Sequence, residues 1–179
     1  NSLLGARRAV YAADLLRPAK GKKSGAWLGT TPTAVPFGEA RPEGAVWHFL
    51  VPDPGMAPFD QDKVVKALAP EAAAAIKLWR REHHAPFEAL DELRLQHLSA
   101  RIDDLFERHA ADRDALLVRT RQAVPVWGQP KPDGRIPNLL ECDEHRRKLL
   151  DPKAPGQRLA AVMHYWCALW FWPVAEAAK

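Results

Sequence analysis

With 179 residues, 47% of them hydrophobic, the chain has the length of one domain, or one domain with an extension, and enough apolar side chains for a real core. A net charge of +4 with a pI near 9.2 admits a nucleic-acid partner without demanding one. No run of twenty apolar residues occurs, so no membrane-spanning helix is expected, and two cysteines, Cys142 and Cys167, without CxxC or CxxH spacing point to reduced structural thiols.

The opening Asn1-Ser2-Leu3-Leu4-Gly5 has no initiator Met, basic leader or long apolar stretch, so no signal peptide is expected and the chain reads as a piece of something longer. Residues 1–60 are rich in Pro and Gly and read as an irregular N-terminal segment. Val10 to Leu16 can form a short strand or helix, and Gly21 to Gly25 reads as a loop. Ala45 to Val51 is the best strand candidate, closed by the turn chemistry of Pro52-Asp53-Pro54-Gly55. Residues 61–179 read as a helical domain. Asp60 or Asp62 can cap a helix through Leu68, and Pro70 opens a second helix at its tolerated first position. Ala72–Ala75, Ile76 and Trp79 give that helix an apolar face.

Residues 87–122 contain neither Pro nor Gly. Leu90, Leu93, Leu98, Ile102, Leu105, Phe106 and His109 recur at helical spacing. Such a helix would be about 50 Å long at 1.5 Å per residue. The expectation is a long antiparallel pair between residues 71–84 and 87–122, turning at Pro86. Pro125 to Pro137 breaks the pattern. Asn138 can cap a helix through Leu150, with Glu141 at the reciprocal third position. After a second break at 151–156, a last helix runs from about Gln157 to Phe171. The expected fold class is therefore mainly α, with a small irregular and β N-terminal part.

The closing stretch His164 to Pro173 concentrates Trp166, Trp170 and Trp172. Each buried aromatic removes roughly 150–250 Å² from water, so the stretch must be core or interface. Leu159, Val162, Met163, Trp166 and Trp170 share one face, while Phe171 and Trp172 widen the apolar surface. A helix apolar on two sides must be covered on two sides. Trp166, Trp170 and Trp172 are thus candidate interface residues, and self-association of the chain is expected.

The basic residues form local clusters: Arg7-Arg8, Lys20 with Lys22-Lys23, Arg80-Arg81 and Arg146-Arg147-Lys148. Arg80, Arg81, Arg146, Arg147 and Lys148 are candidate DNA-backbone contacts; the alternative is an ordinary solvated surface. Trp127 can stack on a base or anchor its loop. No HExxH, GxGxxG, GK[ST] or GxSxG occurs, so no metal, phosphate-loop or hydrolase site is expected, and His83-His84 are helix neighbours that point apart. A nuclease-like reading of Pro132-Asp133 with Asp151-Pro152-Lys153 would need a strand where Pro152 removes a ladder donor.

Asn1 to Arg7, Trp47 to Met56, Pro125 to Pro130 and Tyr165 to Pro173 together resemble large bacterial adenine-specific (N6) DNA methyltransferases of restriction–modification and phage-defence systems. The opening block resembles the segment that follows the cofactor motifs and precedes the Asn-Pro-Pro-Tyr/Trp motif. The resemblance implies a parent enzyme that uses S-adenosylmethionine and methylates adenine in DNA. Neither the Gly-rich cofactor motif nor the Asn-Pro-Pro motif is present here: Asn1 and Asn138 are followed by Ser and Leu. No catalytic, cofactor or metal residue carries over. The expectation is a non-catalytic, cytoplasmic helical insertion, without bound cofactor or membrane contact. Its partners would be the rest of the parent chain and DNA, its role structural or DNA-backbone-contacting. The alternative is a helical interaction module that docks a partner through the Trp-rich helix.

Overall fold

The computed structural model describes residues 5–18, 24–120, 127–128 and 138–171. Lys20, Lys22, Lys23, the block 129–137 and Trp172 with Pro173 lie outside the described residues, as does most of the break at 125–137.

The N-terminal part builds a three-stranded antiparallel sheet ordered β2-β1-β3, with β1 (Ala9–Tyr11) central, β2 (Thr33–Ala34) and β3 (Val46–Trp47). Val10 is the register point, facing Thr33 on one side and Trp47 on the other. The expected strand over 45–51 pairs only through Val46–Trp47; His48–Leu50 then winds into a 3-10 turn. Ala45 to Phe49 are all buried, without alternation, so the apolar run encodes burial rather than an extended ladder. Val10 to Leu16 resolves both ways, as β1 followed by the 3-10 turn Ala13–Leu16.

Helices dominate from residue 63. Asp62 caps α1 (Lys63–Leu68), accepting from the Val64 and Val65 amides at 2.7 and 3.2 Å. Pro70 opens α2 (Pro70–His83), which buries Ala72, Ala73 and Ile76. α3 spans Ala89–Thr120. Asn138 starts α4 (Leu139–Leu150) with a complete capping box to Glu141. α5 runs Pro155–Ala168 and tightens into a 3-10 turn at Leu169–Phe171. The main neighbours of α2 are α1 and the 3-10 turn Pro58–Gln61, so the expected pairing of α2 along α3 is not its principal packing.

The buried stripe of α3 is rotated from the expected one. Leu98 is 43% exposed, and Leu90 and Leu93 also face solvent, while Ile102 is 5% exposed and Leu105 is buried. The covered line before Ile102 is Glu92, Leu95 and Ser99, and two of these are polar. Each has a partner. Glu92 takes a two-pronged hydrogen bond from Arg17 at 2.8 and 3.0 Å, and Ser99 Oγ accepts the Trp47 amide at 3.3 Å.

Two compact units arise. One gathers the described residues up to Arg101 and from Val162; the other is Ile102–Ala161. The core of the first joins Tyr11, Leu16, Trp27, Val46, Val51 and Leu95, with Phe87 stacked obliquely on Trp27 at 4.9 Å. In the second, α4 contributes no fully buried residue. A groove of about 240 Å³ runs between it and α3, lined by Asp112, Ala115, Leu116, His145, Lys148 and Leu149. No described helix is long and apolar enough to cross a membrane.

Candidate functional site

The turn after β3 organises the first unit. Asp53 builds it: its Oδ1 accepts the Gly55 amide at 2.8 Å and its carbonyl accepts the Met56 amide at 3.0 Å. Three further carbonyls of the segment 51–54 are claimed by three separate elements. Trp166 Nε1 of α5 donates to the Val51 carbonyl at 2.8 Å, Trp27 Nε1 to Pro52 at 3.0 Å, and Arg80 Nη2 of α2 to Pro54 at 3.0 Å. Buried indoles need such acceptors, and a turn is where main-chain carbonyls are free to serve. Gly55 is required by packing, since a Cβ there would lie 2.3 Å from Trp170 Cζ3. Ala57 adopts a left-handed φ of 44°, and its amide donates to the Leu169 carbonyl at 3.2 Å.

His48 extends this junction to the N-terminal segment. Its Nε2 accepts the Arg7 amide at 3.0 Å. Its ring meets Trp166 edge-on at 5.1 Å and Phe49 at 5.6 Å. Burial holds its pKa down at about 4, and the Arg7 charge adds to that depression. His48 is therefore a neutral core acceptor at neutral pH.

The basic clusters fare differently. Arg8 lies over the Trp47 ring at 5.7 Å and donates to the Glu39 carbonyl at 2.8 Å. The Arg80 side chain is only 15% exposed and is paired with Asp60, so it braces the 54–60 segment instead of facing a ligand. Arg81, Arg146, Arg147 and Lys148 are exposed. In α4 the acids Glu141, Asp143 and Glu144 precede the bases, an order that also suits the helix dipole. The structure does not bring Arg80 and Arg81 into one surface cluster with each other, and α2 and α4 belong to different units.

Of the three candidate interface tryptophans, Trp166 is 6% exposed and belongs to this chain's own core. Trp170 is half-buried, with its edge towards Trp166 at 6.3 Å, and Trp172 lies outside the described residues. The exposed aromatics of this helix are Tyr165 at 69% and Phe171 at 65%. Trp127 is fully exposed, so it does not anchor its loop. Asp151 closes a turn after α4 by accepting the Lys153 amide at 2.7 Å, and no strand forms there. Cys142 and Cys167 are free and half-buried. Among the described residues no group of three His, Cys, Asp or Glu side chains is placed to hold a metal ion.

Sequence reasoning missed Trp27, fully buried in the core, and the polar line Glu92–Ser99. Trp27 sits in Gly25-Ala26-Trp27-Leu28, too short a run for any periodicity to register. Comparison with protein-family models, with curated proteins and with solved structures finds no match.

Proposed function

We propose that the chain is a non-catalytic helical insertion of a bacterial S-adenosylmethionine-dependent DNA adenine (N6) methyltransferase of a restriction–modification or phage-defence system, working in the cytoplasm. Its role is structural, with DNA-backbone contact as the second part of the reading. One observation carries this. Three of the four segments that resemble such enzymes meet in a single buried junction. Arg7 bonds His48, His48 packs on Trp166, Trp166 bonds Val51, and Trp170 covers Gly55. Segments scattered from residue 7 to residue 170 thus form one packed unit, which supports reading them as parts of one module. The parent would supply the cofactor and the adenine pocket.

Reading the coding sequence on both sides tests the placement. A Gly-rich cofactor motif upstream and an Asn-Pro-Pro-aromatic motif downstream are the expected result; micromolar binding of S-adenosylmethionine by the chain itself, measured by calorimetry, contradicts it. For the DNA part, α4 carries the exposed Arg146, Arg147 and Lys148. Neutralising them should lower the slope of log K against log salt by about 0.9 for every phosphate they engage on duplex DNA. An unchanged slope removes them from the interface.

Docking of a partner through the last helix is favoured by one observation: Tyr165 and Phe171 are exposed on the helix whose other face buries Trp166. The docking surface then shifts from Trp166 to these two residues. Tyr165→Asp should abolish concentration-dependent association in sedimentation, with little salt dependence; association unaffected by this change counts against docking.

A further inference from the structure

One side of α4 is turned inward and the other is open. Cys142, His145 and Leu149 are half-buried, and His145 and Leu149 line the groove against α3. On the opposite side Leu139, Leu140, Asp143, Arg146, Arg147 and Leu150 are all exposed. At 3.6 residues per turn these six occupy about 120° of the helix circumference. The three leucines are 84%, 75% and 61% exposed, so apolar side chains stand at both ends of this face. Between them lie one acid and two bases. Asp143 stands three and four positions before the arginines, the spacing of pairs within a helix. Yet among the described residues Asp143, Arg146 and Arg147 form no ion pair.

We propose that this face is a self-pairing surface, on which α4 of a second copy of the chain docks antiparallel. The order along the face is apolar, acidic, basic, apolar. Turned end for end, it becomes apolar, basic, acidic, apolar. Two copies related by a two-fold axis therefore set leucine against leucine at both ends, and Asp143 of each copy against Arg146 or Arg147 of the other. Parallel copies would set acid against acid and base against base, which repels. Leu139, Asp143, Arg146 and Leu150 are spaced by four, three and four residues, and Leu140, Asp143, Arg147 and Leu150 by three, four and three. That alternation is the one through which paired helices interlock, and polar groups within it fix orientation and register. Self-association is thereby placed on α4, away from Trp166, which the chain's own core takes up. Nothing in the pairing requires the methyltransferase parent. The 12 residues of α4 extend about 18 Å at 1.5 Å per residue. A contact of that length falls at the small end of specific interfaces, so the dimer is weak, with a Kd on the order of 100 µM.

Sedimentation equilibrium of the whole chain at low salt, from about 10 µM to about 1 mM, tests this. The unmodified chain should pass from monomer to dimer across that range. Two variants carry the decision, Asp143→Arg and the double change Arg146→Asp with Arg147→Asp. Each alone should self-associate at least about tenfold more weakly, because attractions at the centre of the face become repulsions. Mixed one to one, the two variants should pair with each other to within about threefold of the original strength, since opposite charges then face again. A chain that stays monomeric throughout overturns the proposal, and so do two variants that weaken association without pairing with each other. Association that both leave unchanged and Tyr165→Asp abolishes belongs to α5 and overturns it too, as does association that appears only when duplex DNA is added. Circular dichroism checks that the variants keep their helices. Should either lose them, methyl signals of the unmodified chain decide: concentration-dependent shifts at Leu139, Leu140 and Leu150 support the pairing, and shifts confined to other residues overturn it.

Discussion

The turn at Val51–Met56 and the helix α4 are opposite solutions to the same problem of placing polar groups. At the turn, three carbonyls are taken by nitrogens from α5, from the 3-10 turn around Trp27 and from α2, so the local chain is fixed by residues remote in sequence. In α4, much of the polar arrangement is local: a capping box with Asn138, acids in its first half and bases in its second, with the Leu149 carbonyl also accepting Gln157 Nε2 at 3.3 Å. No α4 residue is fully buried, and Leu139, Leu140 and Leu150 stay exposed. The first arrangement ties its stability to packing, the second to local propensity. Substitutions at the two places should therefore differ in size and in how far their effects spread.

The largest effect is expected at Trp166. Trp166→Ala removes a buried ring, the bond to Val51 and the edge-on packing with His48, and should cost about 3–5 kcal/mol in denaturant unfolding. Ile102→Asp places an unpaired carboxylate at a buried position and should cost several kcal/mol. Leu98→Asp, four residues earlier but exposed, should stay within about 0.5 kcal/mol. Equal effects at 98 and 102 would show that the buried stripe of α3 is misplaced.

Acid should come next. The folded pKa of His48, about 4, lies below the unfolded value near 6.5, so the folded state binds fewer protons between them. Stability is then intact above pH 6.5 and falls as pH drops towards 4, by up to about 3 kcal/mol. His48→Gln, which has no titrating group, should flatten that part of the profile measured by urea midpoints. A profile unaltered by this change would assign the acid sensitivity to other groups.

The smallest effects belong to α4. Asn138→Ala should cost about 1 kcal/mol through removal of the cap, seen as reduced helicity. Neutralising Arg146, Arg147 and Lys148 should change stability by no more than about 0.5 kcal/mol while altering any DNA salt slope. A large fall in stability would mean that these cations hold the fold.

What could be read from the chain follows the same division. Caps at Asp62 and Asn138, Pro70 at a helix start and the helical content were legible because each depends on neighbours three or four residues away. The stripe of α3 is legible only in part, because Leu residues at 90, 93 and 98 mimic a core line while Glu92 and Ser99 take the inside through partners at 17 and 47. Periodicity sees apolarity and cannot see such partners. The same blindness makes Arg80 look like a surface cation, when Asp60 and the Pro54 carbonyl hold it in place. The turn itself is visible as Pro52-Asp53-Pro54-Gly55, but its place at the centre depends on Trp27, Arg80 and Trp166, which no local pattern links to it.

The segments around residues 7, 48–55 and 166–170 meet in one junction, whose members should respond to substitution cooperatively. A double-mutant cycle between His48→Ala and Trp166→Phe measures it most directly. The edge-on packing at 5.1 Å, in a shared buried site, predicts a coupling energy of about 0.5–1.5 kcal/mol. Strict additivity of the two changes would show that the segments pack without cooperating.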